Sequence, residues 1–516
     1  MELAAWATIF LALLLGAVLF PLITFLSRGR RAYNLPPGPK PWPIIGNLNL
    51  IGELPHRSIH ELSKRYGPLM QLRLGSVPVV VGASVEMAKI FLKTKDEAFS
   101  DRPRFAISKH SSYDYSGILW SRYGPHHRQA RRICAAELFN AKRLESFEHV
   151  RDEEVRVMLR HLHQASGRTV RLRDYLQTLA LGVISRVVLG RKYVVEEEGA
   201  SPPAITPAEF REVMDEVFVL LGAFNIGDFI PWLDWLDLQG YVRRMKKMSA
   251  TFDSFLEHVL NEHNERRRLE GDRFVAKDMV DVLLQLADDT DLEVQLSRVS
   301  VKAITQDLII GATDTAANTV EWAVSELLKN PKILAKATEE LDHVIGLDRL
   351  VTEGDIPRLP YLEAILKETM RLHPGAPMLA PHLSREDASV DGYGIPAGTT
   401  VFVNVWSIGR DPALWDAPQE FRPQRFLDSK IDVKGQDFEL LPFGSGRRMC
   451  PGYNLALKMI ALSLANLLHG FLWRLPDDVA AEELNMEETY RLAVPRKFPL
   501  EAVVEPRLPA RLYMGA

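Results

Sequence analysis

Cysteine occurs only twice in 516 residues, and one of the two, Cys450, lies in the run PFGSGRRMCPG between Pro442 and Gly452. Gly444, Gly446 and Gly452 let backbone come close to a flat, bulky group. Pro451 withholds an amide and sets the turn, while Arg447 and Arg448 bring two guanidinium forks alongside. Free amides and nearby positive charge favour the thiolate, the metal-binding form of cysteine. A structural cysteine in a turn is the plain alternative. A thiolate on haem iron, with Arg448 on a haem propionate, accounts for the glycines, the proline and the arginine together.

In that setting Phe443, Gly446, Arg448, Cys450 and Gly452 spell F-x-x-G-x-R-x-C-x-G, and the chain resembles the cytochrome P450 superfamily of haem-thiolate monooxygenases. The resemblance implies haem b as cofactor, with Cys450 as the axial iron ligand. It gives Glu368 and Arg371 of KETMRLHP the family's E-x-x-R pair, and Arg425 of FRPQRF the arginine completing a buried triad, although Gln424 stands where a glutamate is usual. Three charges in a core need mutual pairing; spacing alone reads as a solvated i,i+3 ion pair. Asp314 and Thr315 of GATDTAANTVEW match the acid-alcohol pair of the oxygen-activation segment, where a carboxylate and a hydroxyl relay protons through water. Ala316 follows where Thr or Ser is common, and the pair taken alone is an ordinary polar helix face. YGPHHRQARRIC puts Arg131 in the arginine position of W-x-x-x-R but His127 in the tryptophan position, and LAPHLSRED places His382 where a propionate-binding arginine is common. An imidazole still donates one hydrogen bond; a surface histidine is the alternative at both positions.

The elements that must position these residues are mainly helical. Apolar periodicity predicts helices over Ala141–His163, Pro207–Leu221, Tyr241–Glu270, Leu296–Lys329, Pro331–Ile345 and Tyr361–Leu372. Alternating runs predict hairpins over Leu69–Gly82 and Val390–Trp406. The expectation is one large, mainly α domain over residues 48–516 with small antiparallel β-sheets. No P-loop, no complete G-x-G-x-x-G, no H-E-x-x-H and no C-x-x-C is present, which removes the usual nucleotide cradles and zinc sites.

Leu3–Leu26 carries no charged side chain, spans about 36 Å as a helix against a hydrocarbon core of roughly 30 Å, and is followed by Arg28, Arg30 and Arg31. This predicts a transmembrane anchor at residues 3–26 with the body on the cytosolic side. Residues 27–47, with Pro36, Pro37, Pro39, Pro41 and Pro43, are expected to be a stiff basic and proline-rich hinge. Two cysteines fit a reducing compartment. A formal net charge of -4 supplies no field that would draw nucleic acid.

The anchor, hinge and cysteine run resemble plant microsomal enzymes, which implies the endoplasmic reticulum and a separate NADPH-cytochrome P450 reductase. Arg447 and Lys458 are candidates for docking that partner. Phe105–Leu119, Ile309–Thr313, Gly375–Ala380 and Arg491–Ala493 are expected, by resemblance, to enclose a hydrophobic substrate. A branch cleaving tertiary terpene alcohols such as nerolidol and geranyllinalool to homoterpenes is the expected group, with flavonoid 3'-hydroxylation as the alternative. A planar polyphenol needs buried hydroxyl partners, which Ser108, Ser111, Ser112 and Tyr113 can offer. A haem-thiolate protein that rearranges peroxides without a reductase, or only binds haem, is the reading from another class.

Overall fold

The computed structural model describes residues 33–192, 205–477 and 479–514, together with Gly16. The expected anchor lies outside the described residues apart from Gly16. Among those described, no helix is long and apolar enough to cross a membrane. The described part of the hinge is a strap fastened to the body. The Pro37 carbonyl accepts from Gln71 N–H at 2.8 Å, and Asn47 Oδ1 accepts from Arg73 N–H at 2.8 Å.

The principal helices are α1 (Pro55–Tyr66), α2 (Pro125–Ile133), α3 (Glu148–Gln164), α4 (Leu172–Leu189), α5 (Pro207–Gly222), α6 (Tyr241–Glu270), α7 (Met279–Ala287), α8 (Arg298–Lys329), α9 (Pro331–Ile345), α10 (Pro360–Leu372) and α11 (Tyr453–Gly470). Their ends follow local chemistry. Thr206 and Glu209 form a capping box ahead of Pro207, Ser297 accepts from Ser300 N–H to start α8, and Gly190 ends α4 in the left-handed region. The predicted helix Ala141–His163 is broken at Phe147 into Ala141–Ser146 and α3. α4 and α11 are buried on nearly every face, so neither shows the apolar stripe that betrays a surface helix. α8 is the central rod, packing chiefly on α4 and also on α11 and α10.

The largest sheet runs β1 (Leu69–Leu74), β2 (Val77–Gly82), β7 (Thr400–Val403), β4 (His382–Leu383). The hairpin expected over Val390–Trp406 is corrected here. Only β5 (Ala388–Val390) and β6 (Tyr393–Ile395) form one, closed by Asp391 and Gly392, both at positive φ. β7 leaves to pair parallel with β2, Val79 opposite Thr400, so the sheet is mixed. All four β7 residues are buried, the continuous burial of a strand covered on both faces. A second antiparallel sheet joins β3 (Thr169–Arg171), β9 (Glu501–Pro506) and β8 (Phe471–Arg474).

Candidate active site at the Cys450 loop

Cys450 sits between a 3-10 turn, Gly446–Arg448, and the start of α11. Its backbone N–H donates to the Phe443 carbonyl at 2.9 Å, closing the loop. Gly446 has φ +67, and a Cβ there would stand 1.9 Å from the Leu92 carbonyl oxygen, so only glycine fits. Burial pushes the Cys450 thiol up, opposed by the Gly452 N–H and by Arg131. Cys134 is fully buried and pushed up to about 12, the behaviour of an inert core thiol. Cys450 keeps partial exposure although protein surrounds it, so it borders interior space. Mid-α8 borders such space too: Gly311 is exposed amid buried neighbours, nothing lies within 4 Å of a Cβ built there, and Thr315 is partly accessible.

Buried cations gather around the same region. Arg448 donates to the Ser100 carbonyl from Nε (2.7 Å) and to the Ser121 carbonyl from Nη2 (2.6 Å). Arg102 donates from Nη1 to the Ala380 (2.8 Å) and Pro381 (2.7 Å) carbonyls. Burial lowers Arg448 to about 10, opposed by Asp101 and reinforced by Arg131; Arg102 is driven down by burial and by Arg448; burial alone lowers Arg131. His127 is pushed down to about 2 by burial and these guanidiniums, and its Nδ1 is buried without a partner. His382 is also held neutral, its Nδ1 donating to the Phe99 carbonyl at 2.8 Å. Guanidiniums that destabilise one another, an orphaned imidazole nitrogen and two openings onto interior space fit a flat group carrying carboxylates. With Nδ1–H committed to Phe99, His382 can donate to such a carboxylate only by taking a second proton, which the expectation for this residue did not foresee.

The structure brings Glu368, Arg371 and Arg425 together. Arg371 makes a two-pronged contact to Glu368 at 2.7 and 2.8 Å, and Arg425 Nε donates to Glu368 Oε1 at 3.0 Å. Glu368 also accepts from Arg422 N–H at 2.7 Å, and Arg371 reaches the Gly409, Pro418 and Glu420 carbonyls. Gln424 turns to the Tyr361 hydroxyl at 3.1 Å instead. On α8 the structure separates the acid from the alcohol. Thr315 donates back to the Gly311 carbonyl at 2.9 Å on the open side, whereas Asp314 is buried against α4, accepting from Gln177 Nε2 at 3.0 Å. Burial raises Asp314 to about 6; Gln177 opposes this and Asp215 reinforces it.

The family profile described as Cytochrome P450 matches residues 36–499. The chain belongs to the cytochrome P450 family. It is 48% identical to dimethylnonatriene synthase of Zea mays over 99% of both chains, and 48% identical to trimethyltridecatetraene synthase of Zea mays over 98% of this chain and 95% of that one. It is 45% identical to flavonoid 3'-monooxygenase of Petunia hybrida over 98% of this chain and 99% of that one. A solved zebra fish cytochrome P450 with abiraterone superposes with a TM-score of 0.72, covering 88% of this chain and all of that one at 24% identity, which fixes the fold. The protein is a P450 monooxygenase whose cofactor is haem b on a cysteine thiolate.

A cleft opens into this P450 between the segment 221–229 and the Ala376–Pro381 turn. Phe105, Leu221, Phe224, Phe229, Met378 and Leu379 give it an apolar wall. Leu379 also touches the position above Gly444, linking the cleft to the cysteine loop. Phe105, Ile107, Ala376–Leu379 and Arg491–Leu492 were expected on its walls; Trp120, Leu221–Phe224, Asp228, Phe229, Pro381, Phe402 and Tyr490 were not, and the expected Ile309–Thr313 stretch of α8 does not line it. The expected hydroxyl partners are turned away. Ser108 donates to the Phe105 carbonyl (2.7 Å), Ser111 to the Ile107 carbonyl (2.6 Å), and Ser112 Oγ accepts from Gly117 N–H (3.1 Å), because serine competes for nearby backbone in short helices. Tyr113 lies beneath the Lys302 ammonium, 5.3 Å from its ring centre. Asp307 of α8, unsuspected from the sequence, accepts from Ile118 and Leu119 N–H at 2.6 and 3.0 Å and ties down the loop between α8 and the cleft. Its only sequence signal is a lone charge in the apolar stretch ITQDLIIG.

Arg447 and Lys458 are both engaged within the chain. Arg447 pairs with Asp96 at 3.2 Å and donates to Tyr123 Oη at 2.6 Å, and Lys458 pairs with Glu353 at 2.6 Å. Both side chains remain partly exposed beside these partners.

Proposed function

We propose that this P450 oxidises a hydrophobic terpene alcohol, cleaving a carbon–carbon bond in compounds of the nerolidol and geranyllinalool type to release a homoterpene. The cleft carries this reading. Its wall is mostly aromatic and aliphatic, Ser108 and Ser111 donate to local backbone, and none of Ser108, Ser111, Ser112 and Tyr113 lines it, leaving little to satisfy a polyphenol. The relatives named for dimethylnonatriene and trimethyltridecatetraene synthesis support the same class. Ring hydroxylation of a flavonoid is the second reading, favoured by the stacked pair Phe224 and Phe229, 5.3 Å apart, which can flank a planar ring.

Bound haem supplies the reduction and splitting of dioxygen. In our proposal Cys450 provides its thiolate on the Phe443–Gly452 loop, and Arg102, Arg131 and Arg448 hold its propionates, with His127 and His382 beside them. Gly311 leaves room above the ring, Thr315 places a hydroxyl there, and Asp314 delivers protons from the α4 side. Electrons come from a separate NADPH-cytochrome P450 reductase. The Glu368–Arg371–Arg425 triad holds the segment from Gly409 to Arg425.

Residues 3–26 anchor the protein in the endoplasmic reticulum membrane with the body in the cytosol. Supporting this, Trp232, Trp235, Leu236 and Leu238 are exposed on one side of the β1–β2 turn, and Trp42 and Ile44 of the strap on the other. Phe229 carbonyl accepts from Ser76 N–H, and Ile45 carbonyl from Gly75 N–H, so both segments meet at that turn. Such an apolar, tryptophan-bearing face suits the membrane interface, and Phe224 and Phe229 open the cleft beside it.

The test is expression in microsomes with a plant reductase, recording the reduced carbon monoxide difference spectrum and NADPH-dependent turnover of nerolidol, geranyllinalool and naringenin. Homoterpene release with a thiolate-type spectrum is expected. Turnover of naringenin alone moves the substrate to the second reading, and absence of any haem spectrum refutes the role of Cys450.

A further inference from the structure

We infer that the indole N–H of Trp120 is the donor that fixes the oxygen of the substrate, so that Trp120 sets how a terpene alcohol lies beside the Cys450 loop. The inference rests on the terpene-alcohol reading above. Trp120 is 4% exposed and lines the cleft, yet its Nε1 has no hydrogen-bond partner among the described residues. Three other buried indoles do: Trp322 donates to the Val494 carbonyl, Trp415 to Ile408 and Trp473 to Leu467, whereas the similarly unpartnered Trp406 Nε1 is not on the cleft wall. Trp120 Nε1 is not among the fully enclosed unpartnered polar atoms, so this N–H of a cleft-lining residue keeps accessible surface from which a ligand oxygen can accept.

The backbone on both sides of Trp120 is clamped. Ile118 and Leu119 N–H donate to Asp307 Oδ2, the Leu119 carbonyl accepts from Arg102 Nε at 3.1 Å, and the Ser121 carbonyl accepts from Arg448 Nη2 at 2.6 Å. Arg448 is two residues from Cys450, so the clamp sets the indole relative to the cysteine loop. A donor held in advance costs little ordering when the ligand arrives.

Tyr490 is the competing polar group, since its hydroxyl also lacks a partner among the described residues. It stacks on His56 (6.2 Å) and lies 6.4 Å from the Phe224 ring, on the wall away from the Arg448 clamp. Asp228 is committed, accepting from Ala106 N–H at 2.6 Å. An indole donates and cannot accept. The substrate oxygen therefore needs a lone pair and no proton.

The experiment measures equilibrium binding of nerolidol, its methyl ether and the corresponding deoxy hydrocarbon to the full-length holoenzyme in microsomes, by the ligand-induced absorption change and by dialysis. Nerolidol and the ether are expected to bind about threefold to tenfold more tightly than the hydrocarbon, the range of one neutral hydrogen bond. Trp120→Phe should erase that preference while hydrocarbon affinity holds. The wild-type ranking alone tests the donor should the variant fail to fold. Three results overturn the inference: an ether ranking with the hydrocarbon in the wild type; loss of preference on Tyr490→Phe but not Trp120→Phe; or Trp120→Phe shedding haem while keeping the ligand preference, which would give the N–H to a propionate. Binding of naringenin with none of the terpenes refutes instead the reading on which the inference rests.

Discussion

Asp314 offers a perturbation whose sign and size follow from two neighbours. Its carboxyl is pushed up to about 6, with burial the dominant cause, the Gln177 amide at 3.0 Å pulling it down and Asp215 pushing it up. Proton delivery through Asp314 requires the ionised form between transfers. Gln177→Leu removes a donor to that form, an interaction of about 1.5–3 kcal/mol. At about 1.4 kcal/mol per pKa unit the carboxyl should rise by about one to two units, to about 7 to 8. The ionised fraction at pH 7 then falls from about nine-tenths to between about one-half and one-tenth, while at pH 8.5 about three-quarters or more stays ionised. Asp215→Asn removes a neighbouring negative charge and should move the same group downward. The assay is product formed per NADPH consumed between pH 5.5 and 8.5, a ratio in which the reductase's own pH dependence cancels. The acid limb should climb in Gln177→Leu and recede in Asp215→Asn, with nerolidol affinity unchanged. An unmoved limb, or both variants shifting it the same way, would refute Asp314 as the titrating relay.

Arg371→Met should destabilise the haem-loaded protein by about 3–5 kcal/mol, because it strips Glu368 of its two-pronged partner and leaves the carbonyls of Gly409 and Pro418 without their side-chain donor; urea unfolding followed by circular dichroism reads this, and a cost below about 1 kcal/mol would show the triad to be unimportant. Glu488, buried against His56 (2.9 Å) and Arg57 (3.0 Å), is lowered to about 2. A depressed carboxyl stabilises the fold above its unfolded pKa and loses that stability as pH falls from about 4.5 toward 2. Burial keeps His56 neutral near pH 7, so it lends a hydrogen bond and no charge, and Glu488→Gln should cost only about 1–2 kcal/mol at pH 7 and flatten the acid dependence of urea midpoints. Trp232→Ser with Trp235→Ser, both exposed, should leave urea stability within about 0.5 kcal/mol and, in a chain lacking the anchor, weaken sedimentation with phospholipid vesicles; unchanged sedimentation would remove this face from the membrane contact.

What could be read from the sequence is what lies close together along it. The Phe443–Gly452 run carries its ligand, glycines and arginine within ten positions, so spacing reports it; Glu368 and Arg371 share one helical face, so spacing reports the pair but not its burial. Arg425 needed the family pattern, because only the fold brings it to Glu368. Gln177, Asp307 and Arg102 have no such signal: each acts across 137 or more residues or through backbone groups whose identity no side chain reveals. The serines of the 108–112 stretch misled for a related reason. A hydroxyl near a cleft in sequence is free only if its own backbone does not claim it, and in a short helix the carbonyl three or four residues back is nearer than any substrate. β7 was assigned to the wrong partner because an apolar run does not say which strand it will pair with, and its neighbour lies more than three hundred residues earlier.

One helix sets the relation between these parts. Along α8, Asp307 holds the loop bearing Trp120, Gly311 and Thr315 face the open space, Asp314 meets Gln177, and Glu321 accepts from Arg173 at 2.7 Å and from Leu500 N–H at 2.8 Å. Asp307 and Asp314 are seven residues apart, about 10 Å along the axis and close to the same face. A rod with buried neighbours on both sides of the open stretch transmits position well, since close-packed side chains resist small displacements. Thr313, Thr315 and Thr319 each donate to the carbonyl four residues back, a pattern that loosens and bends a helix locally. Gly311 lies between the two aspartates, at the stretch with least packing, and both aspartates are held by partners on neighbouring elements. On the reading proposed above, substrate orientation through the Asp307-held loop and proton supply through Asp314 would be set by one element. Thr315→Val, which removes the hydroxyl from the open stretch, should lower product formed per NADPH consumed more than it weakens nerolidol binding.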